Sequence, residues 1–145
     1  MDKNILDKMR RYNYLFSEIE AVYHESSVKL GISDSVSIIL YIICNSGDSC
    51  PLADICRGSG LNKQTVNSAI RKLEQDGIIY LEAIDGKSKK VCLTKKGKDF
   101  SKKTVLRLME MENSIYSSWP EADLDKYLEL TERFLISMKE KVGEM

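Results

Sequence analysis

Leu61-Asn-Lys-Gln-Thr-Val-Asn-Ser-Ala-Ile-Arg-Lys-Leu-Glu-Gln-Asp-Gly77 runs directly into Ile78-Ile-Tyr-Leu-Glu-Ala-Ile84, then Asp85-Gly86, then Lys90-Val-Cys-Leu93. Asn62 is a good N-cap, because its short side chain can accept from a free amide of the first turn. At 100° per residue, Val66, Ala69, Ile70 and Leu73 gather on one side of a helix over 62–76. Gly77 is the natural left-handed stop. Asp-Gly between two β-compatible runs signals a hairpin, and the second run alternates, with Val91 and Leu93 on one face and Lys90 and Cys92 on the other.

Upstream, Ser49 is read as the cap of a short helix with Pro51 near its first turn and Leu52, Ala53, Ile55 and Cys56 facing inward. Gly58-Ser59-Gly60 closes that helix and leads to Leu61. Two short helices joined by a glycine-containing turn make a helix-turn-helix. Before them, Ser33 caps the apolar run Val36–Cys44, which is expected to be a helix buried nearly all round. A first helix over 4–29 shows one stripe (Ile5, Met9, Tyr12, Phe16, Ile19, Tyr23), with Gly31 as its stop. Thr94 caps a long helix to about Ser118. After Pro120, a last helix to about Val142 carries Leu124, Tyr127, Leu128, Phe134, Leu135 and Met138. The fold class is mainly α: a winged helix-turn-helix with a two-stranded β-wing and long N- and C-terminal helices. At 145 residues and 43% hydrophobic, the chain is read as one domain, with the winged-helix part over about 33–97 and arms over about 1–30 and 98–145.

The formal net charge is zero, yet the charge is unevenly placed. Residues 62–98 hold nine Lys/Arg against four Asp/Glu, while both flanking segments are net acidic. The outward side of the 62–76 helix presents Gln64, Asn67, Ser68, Arg71 and Gln75, with Lys63 and Lys72 at the margins and no acid among the central positions. Amides can hydrogen-bond adenine bidentately and a guanidinium suits guanine. Lys87, Lys89 and Lys90 stand at or just beyond the hairpin tip, where point charges suit phosphates. The candidate contact set for double-stranded DNA is Lys63, Gln64, Thr65, Asn67, Ser68, Arg71 and Lys72 on the helix, with Lys87, Lys89 and Lys90 on the wing. A solvated polar face is the plain alternative, and a basic stripe that meets an acidic protein partner is another.

These residues also carry a resemblance. Leu61-Asn-Lys-Gln-Thr-Val66, Leu73-Glu-Gln-Asp-Gly-Ile78 and Val91-Cys-Leu-Thr-Lys-Lys-Gly97 resemble the MarR family of bacterial transcription regulators at the reader-helix start, the helix end with first wing strand, and the second wing strand with the next helix. The resemblance implies a winged-helix homodimer held by its N- and C-terminal helices. It also implies a regulator, usually a repressor, that binds a pseudo-palindromic operator and is released by a small molecule or an oxidant. Relatives often carry an Asp-x-Arg wing, whereas this one is Asp85-Gly-Lys-Ser-Lys89.

Other chemistry has little support. Cys44, Cys50 and Cys56 are six apart, which is not a metal-knuckle spacing, and His24 is the only histidine, so no metal and no cofactor are expected. Cys44, Cys56 and Cys92 read as buried apolar thiols. Cys50, read in a loop beside a helix N-terminus, is the one cysteine suited to redox sensing. Tyr12, Tyr14, Tyr23, Tyr41 and Tyr116 could line a pocket for a small aromatic or other apolar effector. No residue set supports catalysis, so no enzyme is expected. No apolar run approaches the ~20 residues that span a bilayer, and the N-terminus lacks a signal-peptide pattern, so the chain is expected in the cytoplasm.

Overall fold

The structure, a computed structural model, describes all residues 1–145. Asp2 opens α1 (Lys3–Leu30) by accepting from the Asn4 amide at 2.8 Å, and Gly31 ends it at φ 73°. Ser33 caps α2 (Asp34–Asn45), accepting from Val36 N at 3.2 Å. The chain continues through β1 (Ser49–Pro51), α3 (Leu52–Ser59), α4 (Lys63–Gln75), β2 (Ile79–Ala83), β3 (Lys89–Leu93), α5 (Lys95–Lys103), α6 (Val105–Ser117) and α7 (Glu121–Gly143). It falls into two compact units, Met1–Leu108 and Met109–Met145. No single helix is long and apolar enough to cross a membrane.

The core of the first unit is built from one face of α2, α3, α4 and the sheet: Val36, Ile39, Leu40 and Ile43 of α2, Ile55 of α3, Val66, Ala69, Ile70 and Leu73 of α4, and Ile79, Val91 and Leu93 of the sheet. The 3.6 and 2.0 periodicities of the sequence thus converge on one interior. α2 is less buried than expected, since Ile38 is exposed and Tyr41, Ile42 and Cys44 are half-buried. By contrast, α1 buries only Ser27, and α7 buries no residue at all.

Three local expectations are corrected. The helix expected from Ser49 begins at Leu52. Ser49-Cys50-Pro51 is instead a strand on β3, pairing Ser49 with Cys92, Cys50 with Val91 and Pro51 with Lys90, so the wing sheet has three strands in the order β1-β3-β2. A residue before proline is pushed to extended backbone, and the ladder with β3 consolidates it. The long helix expected to Ser118 is broken at Thr104, whose φ −124° and ψ −100° are not helical. Buried Thr104 turns its hydroxyl onto the Phe100 carbonyl at 2.8 Å, which gives the backbone an alternative to the helical ladder. Lastly, Cys50 is not in a loop: it is 3% exposed on the inner face of β1, which removes the premise for a reactive thiolate.

Candidate nucleic-acid interface

The outward face of α4 is fixed at both ends. At its start, the Asn62 side chain accepts from the Thr65 amide at 2.8 Å. At its finish, Gly77 turns at φ 73°, and two side chains at the start of α5 take up the carbonyls just past the helix. The Thr94 hydroxyl donates to Gly77 O (2.6 Å) and reaches Ile78 O (3.1 Å), while Lys96 Nζ donates to Asp76 O (2.7 Å). A cation on these carbonyls also meets the negative end of the helix dipole. Gly97 lets the two segments meet, because a Cβ there would fall 1.9 Å from Ile78 O. The helix end is therefore clamped to the end of the wing.

On that face Lys63, Gln64, Ser68, Arg71 and Lys72 are exposed, while Thr65 and Asn67 are half-buried. No ion pair engages Lys63, Arg71 or Lys72. Gln64, Thr65, Ser68 and Lys72 line one side of a groove whose other side is the cap Ser33 with Ser35 and Val36 of α2. The two serines are an addition to the residues named from sequence. Their signal was the Ser33 cap, but only the packing of α2 on α4 brings them beside Gln64.

The wing tip is ordered by one carboxylate. Asp85 Oδ1 accepts from the amides of Lys87 (2.9 Å) and Ser88 (2.8 Å), and Ile84 N bonds Ser88 O at 2.9 Å. Those two amides hold the Asp85 carboxyl below the usual carboxylate range. Lys87 and Lys89 are exposed on the hairpin. Lys90 differs, being half-buried on the outer sheet face, 3.9 Å from Glu82. The three lysines are therefore not equivalent.

The remaining groups do not assemble a second site. Cys92 is buried on the outer sheet face, 3.8 Å from Glu82, whereas Cys44 and Cys56 are only half-buried, contrary to expectation. Burial pushes the Cys44 thiol up. His24 pairs with Asp34 at 2.7 Å, and that bond lowers the Asp34 carboxyl. No group of His, Cys, Asp or Glu is placed to hold a metal ion. The two grooves beside α4 are lined by none of the five tyrosines. Tyr12 stacks on Phe16 instead, and in the second unit Tyr116 and Tyr127 each meet Trp119 edge-on.

Residues 30–88 match the model of the MarR family. The whole chain is similar in structure to NMB1585, a MarR family regulator from Neisseria meningitidis. The TM-score is 0.82 at 16% identity, over 94% of this chain and 97% of that one. It is also similar to S. aureus MepR in its DNA-binding conformation, with TM-score 0.75 and 25% identity over 88% of this chain and 98% of that one. A third likeness is to Sco3205, a MarR family transcriptional regulator from Streptomyces coelicolor in complex with DNA, with TM-score 0.75 and 12% identity over 93% and 88%. No curated protein sequence matches the chain.

Proposed function

We infer that this chain, whose residues 30–88 match the MarR family model and whose fold is similar to that of MarR family regulators, is a homodimeric transcription regulator that reads duplex DNA with α4 and grips the backbone with its wing. The observation that carries this reading is the outward face of α4. It presents amides and cations, no ion pair engages Lys63, Arg71 or Lys72, and the helix is held rigidly at both ends. A helix already fixed in place pays no backbone ordering cost when its side chains meet base edges. Gln64, Asn67 and Arg71 would address base edges. Lys63, Thr65, Ser68, Lys72 and the wing lysines would contact phosphates. A dimer about a twofold axis would read a pseudo-palindrome with half-sites about one helical turn apart. The solution-exposed apolar stripes of α1 and α7 support the dimer. Repression relieved by a small aromatic or apolar effector is the family pattern, and it completes the proposal.

The test is selection of bound duplexes from a random library, followed by salt titration of the enriched sequence. A twofold-related motif whose affinity falls steeply with salt is expected. Retention of no sequence over background would remove the reading.

A further inference from the structure

We propose that the lysine face of α5 is a second phosphate-binding surface, which takes the backbone of the same DNA duplex beyond the base pairs read by α4. Within nine residues α5 carries Lys95, Lys96, Lys98, Lys102 and Lys103 against the single acid Asp99. All five lysines are exposed, and none makes an ion pair. Lys98 and Lys102 are four apart, so like charges repel along one side of a short helix. Such a concentration of charge in a chain of zero net charge calls for a polyanion.

The helix is firmly seated. Gly97 and Ser101 are buried, Phe100 packs against the core, and Thr94 caps the first turn by accepting from Gly97 N at 2.9 Å. The charges are thus presented from a rigid support. They also continue the reader surface. Lys72 shares one groove with Gln64, Thr65 and Ser68, and a second groove with Lys96 and Phe100. Lys72 therefore links the groove beside the first turns of α4 to the one that holds Lys96 of α5, whose lining has the single acid Asp76 against these two lysines. Lys96 marks the C-terminal end of α4, which over its 13 residues lies roughly 20 Å from the start. That separation puts α5 outside the base pairs that the first turns address, and leaves it the flanking backbone.

The inference rests on DNA reading by α4, and the experiment separates the two. The selected operator is made as a minimal duplex and as one extended on each side by about one helical turn, roughly 10 bp. For the full-length protein, the extended duplex should show a steeper fall of affinity with salt, by roughly 0.9 in log–log slope per phosphate gained. In a variant with Lys95→Gln, Lys98→Gln, Lys102→Gln and Lys103→Gln, the two slopes should coincide, while affinity for the minimal duplex and the thermal midpoint stay as in the parent. Lys96 is kept because it holds Asp76. Equal slopes in the parent, or a retained difference in the variant, would overturn the α5 surface and leave operator reading intact. Failure of the minimal duplex to bind would bring down both. Simultaneous capture of two separate minimal duplexes would assign the lysines to a second DNA molecule. Tighter binding of poly-glutamate than of the extended duplex would assign them to an acidic protein. Either result overturns the proposal.

Discussion

Arg71 is exposed on α4 and Asn67 is half-buried at the edge of the same face. Each replacement by Ala is expected to cost roughly 1–3 kcal/mol against the selected operator and much less on random DNA. A uniform loss for Arg71→Ala would make it a phosphate contact. Val66, fully buried, is the inward control: Val66→Ala should cost about 1.5–3 kcal/mol of stability without relaxing base preference. Gly97→Ala should be harsher than its size suggests. The new methyl meets the backbone of Ile78, which cannot swing aside as a side chain could. A loss of about 1–3 kcal/mol in thermal unfolding is expected, with weaker operator binding as the end of α4 is pushed off its clamp. At this scale three of the four caps read from the sequence hold, and the fourth, Ser49, fails because that residue is drawn into β1. Asn62, Ser33 and Thr94 all cap as read, because a cap needs only residues two or three places away. Cys50 was not legible, since its burial depends on pairing with Val91, forty-one positions along the chain.

The wing is the element whose parts can be weighed against one another. Lys87→Ala with Lys89→Ala should weaken binding to every duplex alike and flatten the salt slope by roughly 0.9 per lost contact. Lys90→Ala should do less, because its ammonium is already beside Glu82. The tip itself should respond to acid. Its carboxylate is depressed by the amides of Lys87 and Ser88, so the order it provides is present at neutral pH and lost as pH falls through the lowered value. Protection of the Lys87 and Ser88 amides, measured by NMR as exchange relative to an unstructured chain at the same pH, should persist through the ordinary carboxylate range and be lost below it, and Asp85→Ala should remove the protection at every pH. The hairpin and both helices of the helix-turn-helix were legible because their periodicities are strong. The strand β1 was not, since three residues carry no period, and the break at Thr104 hides inside a run of good helix formers.

For the whole molecule, the dimer proposal is the one most exposed to test. α1 shows Ile5, Phe16 and Ile19 about half exposed, and α7 shows Leu128, Phe134 and Leu135 likewise. Surfaces of that kind seek a partner. Removing residues 121–145 should give a monomer or an aggregate in light scattering, and a well-behaved dimer would refute an arm-mediated interface. The sequence did reveal these stripes. It could not say what covers them, because a stripe facing a core and one facing another chain have the same period.

Of the 28 residues of α1 only Ser27 is buried in the single chain. The nascent protein would then carry a bare greasy helix until a second copy arrives. Its final folding step should be bimolecular, and so quicken with protein concentration in refolding experiments.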